Sequence, residues 1–296
     1  MKIKDANDAL LIEPLLLEKY LESAETEPQQ YIIKFHQLRS QVKDRIFNKK
    51  QFDGVKSNSF PFVNKILKGF RRGELTILTG PTGSGKTTFL SQYSLDFAQM
   101  GIPTLWCSFE LKNEILVEKM VRHLSGGSIQ NEFQFEALAD RMEQIPLYFQ
   151  NLFGSTPVDK ILDLVNYVVY AFDVAHIVID NLQFALSGQG SGFQKFEIQD
   201  NFISSLRSIA TTNNVHITVV IHPKKIDDDE EINVSSLFGT SKGSQEADNI
   251  FIIQKADKFK IMDIRKNRYD GETGRVPILF DQSRKGFVQL NKFQLE

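Results

Sequence analysis

Cysteine is nearly absent from this chain: Cys107, the single one among 296 residues, lies in an apolar stretch. One thiol cannot close an intrachain disulfide bond, and it cannot supply the several thiolates of a Cys-based zinc module. The sequence therefore excludes both features within this chain and is typical of a protein that folds in a reducing compartment.

Long apolar runs and an excess of charge of one sign are also missing. No stretch approaches the roughly 18 consecutive apolar residues of a membrane-spanning helix, so we expect no membrane span. Lys and Arg number 35 against 37 Asp and Glu, which gives a formal net charge of −2. Without a general basic field, any contact with nucleic acid must come from a local patch.

What is present is a regular alternation of short apolar runs and amphipathic helical patterns from Phe60 onward. This alternation predicts an α/β fold with a doubly wound, mainly parallel sheet. The last three strands follow one another closely around the turn signal Asp270-Gly271, which indicates an antiparallel extension at the edge of the sheet. The predicted strands are 75–79, 104–109, 147–150, 176–179, 216–221, 249–254, 260–264, 276–280 and 287–290. The predicted helices are 87–99, 113–124, 133–144, 158–172 and 196–212.

Two further helical patterns precede this core, at 10–24 and 31–46. In the second, one apolar stripe is formed by Tyr31, Phe35, Leu38, Val42 and Ile46. Such a stripe predicts a helix that packs on its own domain or docks on a neighbouring subunit. We therefore divide the chain into an N-terminal segment at 1–28, a linker helix with a polar connector at 29–59, and a large α/β domain at 60–296.

The most informative stretch is Gly80-Pro-Thr-Gly-Ser-Gly-Lys-Thr87, which fits the P-loop pattern G-x-x-x-x-G-K-[ST]. A predicted strand precedes it and a predicted helix follows it, which is the context that the motif requires. Its backbone N–H groups and the positive end of the helix favour a phosphate. We expect Lys86 to reach the β- and γ-phosphates of a nucleoside triphosphate and Thr87 to bind Mg²⁺. The nucleotide-binding residues predicted from this stretch are Gly80, Pro81, Thr82, Gly83, Ser84, Gly85, Lys86, Thr87 and Thr88.

Two other predicted strands end in a carboxylate. Asp180 is expected to hold the Mg²⁺ shell, and the alternative is that it caps the next turn. Glu110 is expected to orient the water that attacks the γ-phosphate, and the alternative is an acid at the N-terminus of the next helix. Because the carboxyl ends of parallel strands share one edge of a sheet, both are expected near the P-loop.

Three polar features lie further along the chain. His222, at the tip of the predicted strand 216–221, is either a γ-phosphate sensor or a surface histidine. The small and Gly residues of 238–246, around Lys242, form either a loop along a phosphodiester backbone or a plain flexible loop. Lys266 and Arg268 lie on one side of a late strand, where they either reach a phosphate bound by the next subunit or protect an edge strand.

Together these stretches resemble the hexameric replicative DNA helicases with a RecA-like core, and within them the Twinkle-type mitochondrial helicases and the phage primase–helicases. The resemblance covers nearly all of residues 30–285. It is most specific in Phe238-Gly-Thr-Ser-Lys-Gly-Ser-Gln-Glu-Ala-Asp-Asn249 and Lys266-Asn-Arg-Tyr-Asp-Gly271, because many families share the P-loop. It is also carried by Phe35-His-Gln-Leu-Arg39, Leu105-Trp-Cys-Ser-Phe-Glu110, Val178-Ile-Asp-Asn-Leu-Gln-Phe184 and His222-Pro-Lys-Lys225.

The resemblance implies an ATP-dependent DNA helicase that works as a ring of six or seven copies. It implies ATP or another NTP as fuel, Mg²⁺ as cofactor, and single-stranded DNA, replication forks and replisome proteins as partners. The helix at 31–46 would be a linker that docks on the adjacent subunit. The implied catalytic residues are Lys86, Glu110, His222 and Arg268, of which Arg268 acts in trans beside Lys266. The implied metal residues are Thr87 and Asp180, and the implied DNA contacts are Ser241, Lys242 and Gly243.

Residues 3–11 resemble the tail of the primase-type domain that precedes the helicase in this family. The resemblance therefore implies the helicase half of a larger protein. It also implies the mitochondrial matrix as its location, with the cytoplasm of a bacterial or phage-infected cell as the alternative. Two other functions use the same core: a RecA-type ATPase that anneals or exchanges strands, and a nucleotide-gated scaffold without processive unwinding.

Overall fold

A computed structural model describes residues 32–152, 154–190, 193–224, 231–236 and 242–290, together with Leu10, Leu15, Glu18, Lys19 and Glu22 in the N-terminal segment. The predicted helix at 10–24 thus lies mostly outside the described residues. The chain divides into two compact units, Met1–Phe52 and Asp53–Glu296. Of the helices in the described ranges, none is long and apolar enough to cross a membrane.

The first unit contains helix α1 (Phe35–Phe47) and a 3₁₀ turn at Lys49–Phe52. The helix predicted at 31–46 is therefore confirmed, although residues 32–34 precede it. At its start, Lys34 N donates to Gln37 Oε1 at 2.7 Å. No residue of α1 is buried, and the side chains of Phe35 and Ile46 are 67% and 65% exposed. Its apolar stripe is thus available for a partner.

The second unit is built on a nine-stranded sheet with the order β3-β2-β4-β5-β1-β6-β7-β8-β9. The pairs from β3 to β6 are parallel, and those from β6 to β9 are antiparallel. This confirms the mainly parallel sheet and the antiparallel extension. The strands are β1 (Leu75–Thr79), β2 (Thr104–Ser108), β3 (Leu147–Phe149), β4 (His176–Asp180), β5 (His216–Val220), β6 (Asn249–Lys255), β7 (Lys260–Asn267), β8 (Gly274–Asp281) and β9 (Gly286–Gln289).

Helices cover both faces of this sheet. The neighbouring residues Ile77 and Leu78 of β1 belong to opposite hydrophobic clusters, because successive side chains of a strand point to opposite faces. Every residue of β1 is buried, as expected for a parallel strand that is covered on both sides. The helices of this unit are α2 (Pro61–Leu67), α3 (Lys86–Gln99), α4 (Asn113–Ser125), α5 (Glu132–Glu143), α6 (Val158–Phe172), α7 (Leu182–Ala185), α8 (Phe193–Thr212) and α9 (Lys242–Glu246).

Helical periodicity explains which faces these helices bury. On α6, the buried residues Ile161, Val165 and Val168 recur at helical spacing and pack against one face of the sheet with Phe202 of α8. On the opposite face, residues of α2, α3 and α4 form a second cluster that includes Phe89. The predicted doubly wound arrangement is therefore confirmed.

Candidate nucleotide-binding active site

The predicted site residues of the core meet at one edge of the sheet, where its parallel strands end. Strands β2, β4, β5 and β1 are neighbours in that order. Glu110 follows β2, Asp180 ends β4, His222 follows β5, and the P-loop joins β1 to α3. The sheet therefore brings four sequence-predicted elements together.

The P-loop forms a tight turn that depends on its glycines. A Cβ atom on Gly80 would lie 2.8 Å from the carbonyl oxygen of Ile253. Gly85 has a φ of +94°, and a Cβ atom there would lie 2.6 Å from the ring of Phe287. Side chains are thus excluded at both positions. Phe89 N donates to Gly85 O at 2.8 Å, so the amides of the three residues before Phe89 remain for a ligand.

Lys86 is held in a way that suits an anionic ligand. Its ammonium donates to the carbonyl oxygens of Gly80 and Pro81, both at 2.9 Å. No ion pair of Lys86 occurs within the described part of the chain. Burial lowers the pKa of Lys86, and the charges of Asp180 and Glu110 act in the opposite direction. A phosphate beside this amine would compensate its lost hydration.

Asp180 and Thr87 form a pair that fits a divalent cation. The Thr87 hydroxyl donates to Asp180 Oδ2 at 2.6 Å. Burial raises the pKa of Asp180 to about 6, and the nearby charge of Glu110 contributes to the rise, whereas Thr87 and Lys86 oppose it. A buried carboxylate with a raised pKa lacks a cation, and Mg²⁺ takes a hydroxyl, one carboxylate, phosphate oxygens and water. The searched part of the chain holds no cluster of three His, Cys, Asp or Glu residues for a metal.

Asn181 connects the predicted catalytic acid with the predicted sensor. Its Oδ1 accepts from Phe184 N at 3.0 Å, which caps α7 and fixes the orientation of the amide. Its Nδ2 therefore donates, to Glu110 Oε2 and to His222 Nε2, the latter at 3.0 Å. Burial and the charge of Lys86 lower the pKa of His222. A neutral His222 that accepts at Nε2 carries its proton on Nδ1.

The sequence reasoning did not identify Asn181 or Gln183, whose Oε1 accepts from His222 N at 3.0 Å. A signal for Asn181 was present, because an Asn directly after a strand is a preferred helix N-cap. The predicted alternative for Asp180, capping of the next turn, does not hold: Asn181 is the cap. Glu110 precedes α4 but is not its cap, since α4 has Lys112 at that position.

Lys266 and Arg268 lie at the opposite end of the sheet from the P-loop of the same chain. In the register of β1, β6 and β7, Thr79 pairs with Ile252, whereas Asn267 pairs with Asn249 at the other end. Lys266 Nζ donates to Ser244 O at 2.8 Å, and Arg268 donates to Gln245 O at 2.7 Å and to Asp248 Oδ1 at 3.2 Å. A single chain therefore does not bring these two cations to its own nucleotide site.

The segment expected to contact DNA is only partly described. Ser241 lies outside the described residues, and Lys242 begins the short helix α9. The prediction of a loop throughout 238–246 is wrong for 242–246, which is helical. Gly243 is buried, and a Cβ atom there would already contact Ile203 at 3.4 Å and Ile77 at 3.5 Å, so little room is left for a larger side chain. The DNA contacts of the three residues stay predictions.

The fold and this site define a P-loop ATPase with a RecA-like core. A family model described as "AAA domain" matches residues 39–228, and the chain belongs to this family. It is also similar to the DNA helicase/primase of Enterobacteria phage T3, with 23% identity over 269 residues. That match covers 82% of this chain and 46% of the phage protein, so the chain spans about half the length of this relative.

Two solved structures share the fold. One is an isolated ATPase domain, which superposes with a TM-score of 0.74 at 16% identity, covering 87% of this chain and 99% of that one. The other is a DnaB-like replicative helicase, solved for its interactions with primase, which superposes with a TM-score of 0.72 at 14% identity, covering 97% of this chain and 74% of that one. These similarities confirm the RecA-like fold expected from the sequence.

Proposed function

We propose that this chain is the motor of a ring-forming replicative DNA helicase, which couples ATP hydrolysis to movement along single-stranded DNA and to duplex unwinding. One observation carries the proposal. The P-loop, Glu110, Asp180 and His222 lie together at one edge of the sheet, whereas Lys266 and Arg268 lie at the other end. These two cations complete a nucleotide site only when they belong to a neighbouring subunit.

Each residue at the parallel-strand edge then has a distinct task. The P-loop amides and Lys86 bind the triphosphate, and Thr87 and Asp180 would hold Mg²⁺, which neutralises phosphate charge during transfer. Glu110 orients the attacking water. The Nδ1–H of His222 donates to the γ-phosphate. Because Asn181 joins Glu110 to His222, loss of the γ-phosphate is felt at the catalytic acid.

The second half of each site comes from the next subunit. There Arg268, with Lys266 beside it, stabilises the charge that develops during phosphoryl transfer. Both cations donate to carbonyls of α9, the helix that begins at Lys242. Lys242, Ser241 and Gly243 lie along the phosphates of single-stranded DNA in the channel, so binding depends little on base sequence.

The test is Arg268→Ala in the full chain, with Arg141→Ala as the matched control because Arg141 is an exposed arginine on α5. ATPase rate with and without single-stranded DNA, nucleotide affinity and the mass of the assembly are measured. We expect R268A to lose roughly 10³-fold in DNA-stimulated hydrolysis. It keeps the nucleotide affinity of the parent, and R141A behaves as the parent does.

Three outcomes would contradict the proposal. Full turnover in R268A would exclude the trans arginine. Open nucleotide-dependent filaments instead of closed rings would indicate a strand-annealing ATPase. Slow hydrolysis that ignores single-stranded DNA, without strand separation, would indicate a nucleotide-gated scaffold.

We propose also that the chain belongs to the Twinkle-type mitochondrial branch, with a hexameric or heptameric ring that works in the matrix with replisome proteins. The support for this finer assignment is the pair of stretches 238–249 and 266–271. Fractionation of the source cells tests it, because recovery in the cytoplasm of a bacterial or phage-infected cell would point to the phage branch instead.

A further inference from the structure

Lys260, the first residue of β7, contacts the P-loop from outside. Its ammonium donates to Ser84 O at 2.8 Å and to Gly83 O at 3.2 Å. Both carbonyls belong to the turn that precedes Lys86. Partial burial and the charge of Lys255 lower the pKa of Lys260. Neither the motif nor the proposed reaction accounts for this lysine.

The contact matters because of the geometry of the peptide group. The C=O of Ser84 and the N–H of Gly85 share one planar peptide unit and point in opposite directions. When Lys260 holds the Ser84 carbonyl outward, the Gly85 N–H points away from Lys260, toward the interior of the loop. That N–H is one of the donors that a P-loop offers to phosphate.

The strands beyond Lys260 hold the same loop a second time. The ring of Phe287 on β9 packs against Gly85. Gln92 of α3 pairs with the backbone of Phe287: its Nε2 donates to Phe287 O, and its Oε1 accepts from Phe287 N, both at 2.9 Å. The antiparallel extension is therefore joined both to the P-loop and to the helix that follows it.

The far end of β7 carries Lys266 and leads directly to Arg268. Along a strand at about 3.4 Å per residue, Lys260 and Asn267 are roughly 24 Å apart. The strand between them is paired on both sides, with β6 and with β8. One end of a well-supported strand thus touches the P-loop, and the other end presents the two trans cations.

We infer that Lys260 is a positioning residue that braces the P-loop in its phosphate-binding form, and that β7 thereby links the nucleotide site of one subunit to the cations it presents to the next. The first half stands on the contacts of the single chain. The second half rests on the proposed function, because it requires a ring.

The experiment compares three variants of the full chain: Lys260→Ala, Lys260→Arg and the control Lys258→Ala. Lys258 is an exposed lysine in the turn before β7. The measurements are the affinity for a fluorescent, non-hydrolysable ATP analogue with Mg²⁺, and the kcat, KM and Hill coefficient of hydrolysis with single-stranded DNA. The melting temperature without nucleotide is also recorded.

We expect K260A to bind the analogue about tenfold more weakly and to show an equally raised KM, with kcat nearly unchanged, because the brace acts on binding. K260R recovers most of the affinity, since a guanidinium also reaches two carbonyls. K258A matches the parent, and all melting temperatures agree. In the ring, K260A lowers the Hill coefficient toward about 1.

Unchanged affinity in K260A, or an equal loss in K258A, would overturn the brace. A lowered melting temperature that accounts for the whole loss would reduce Lys260 to a structural role, which also overturns it. An unchanged Hill coefficient in K260A would overturn the link along β7. If the parent protein is monomeric, the proposed ring and the link fail together, whereas the affinity measurements still decide the brace.

Discussion

Asp180 is the residue at which the candidate site costs the protein most stability. Burial raises the pKa of this carboxyl from 3.8 to about 6. In the folded chain the ionised form is therefore the less favourable one. The contribution of Asp180 to the free energy of unfolding is largest below pH 3.8 and is lost as the pH rises through about 6.

We predict that Asp180→Asn stabilises the protein at pH 8 without Mg²⁺ and nucleotide, by about 2–3 kcal/mol, because the amide removes a buried charge and can still accept from Thr87. The gain should disappear near pH 4, where the parent carboxyl is protonated. The same variant should lose Mg²⁺-dependent hydrolysis. Thermal melts at both pH values and an ATPase assay measure these effects.

The control is Asp140→Asn, which removes one exposed carboxylate from α5. It should change neither the melting temperature at pH 8 nor the rate of hydrolysis. If D180N melted at or below the parent temperature at pH 8, the buried ionised carboxylate would not be the source of the penalty.

The residues of the site divide by how their roles are encoded. The P-loop, Asp180, Glu110 and His222 were identified because each follows a predicted strand, and parallel strands share a carboxyl edge. Asn181 was not identified, because its role depends on partners that β2 and β5 bring to it. Lys260 was not identified either, since nothing local in the sequence distinguishes a lysine that reaches a loop far upstream.

At the scale of elements, the strands and long helices were predictable from periodicity alone. The nine strands lie where short apolar runs predicted them, and α6 has the predicted bounds. Three short helices, α2, α7 and α9, were not predicted. Helices of so few residues have little intrinsic stability, so their formation depends on tertiary contacts that no local pattern shows. Helix α8 begins at Phe193 and not at residue 196, because helix ends carry weak signals.

Helix α1 has an apolar stripe without a buried member, and this is the basis of a prediction about assembly. We expect Ile46→Asp to weaken assembly at least tenfold, because it places a charge in a surface that subunit contact would desolvate. Light scattering across a concentration series should show smaller species for I46D than for the parent. The melting temperature of the dilute protein should stay unchanged, since Ile46 is 65% exposed.

The matched control is Ser40→Asp, which adds the same charge on the opposite side of α1. Ser40 is exposed as well. S40D should assemble like the parent. Equal masses for I46D and S40D at every concentration would remove α1 from the subunit interface.

At the scale of the whole molecule, the sheet separates two halves of one reaction. The parallel edge carries the groups that bind and cleave nucleotide, and the far end of β7 carries Lys266 and Arg268. Strand order and register establish this separation, and the sequence reached it only through the resemblance. Spacing along the chain does not reveal on which end of a sheet a late strand presents its cations.

This separation predicts that two inactive variants restore each other. Lys86→Ala destroys the pocket of its own chain but still presents Arg268, whereas Arg268→Ala keeps its pocket and lacks the arginine. In a ring mixed from equal amounts, about a quarter of the head-to-tail interfaces combine an intact pocket with an intact arginine. We expect each variant alone to be nearly inactive with single-stranded DNA and the mixture to regain a substantial part of the parent rate.

The sharpest control is a mixture of Lys86→Ala with Glu110→Gln. Both changes damage the pocket of their own chain, so no interface in that mixture has a complete pocket, and no recovery should follow. Native mass spectrometry establishes that the subunits have mixed. If co-assembled K86A and R268A stayed inactive, or if K86A and E110Q recovered equally, the nucleotide site would not be shared between neighbouring subunits. Because Arg268 reaches no phosphate within its own chain, the shared site is the arrangement that gives these two cations a part in hydrolysis.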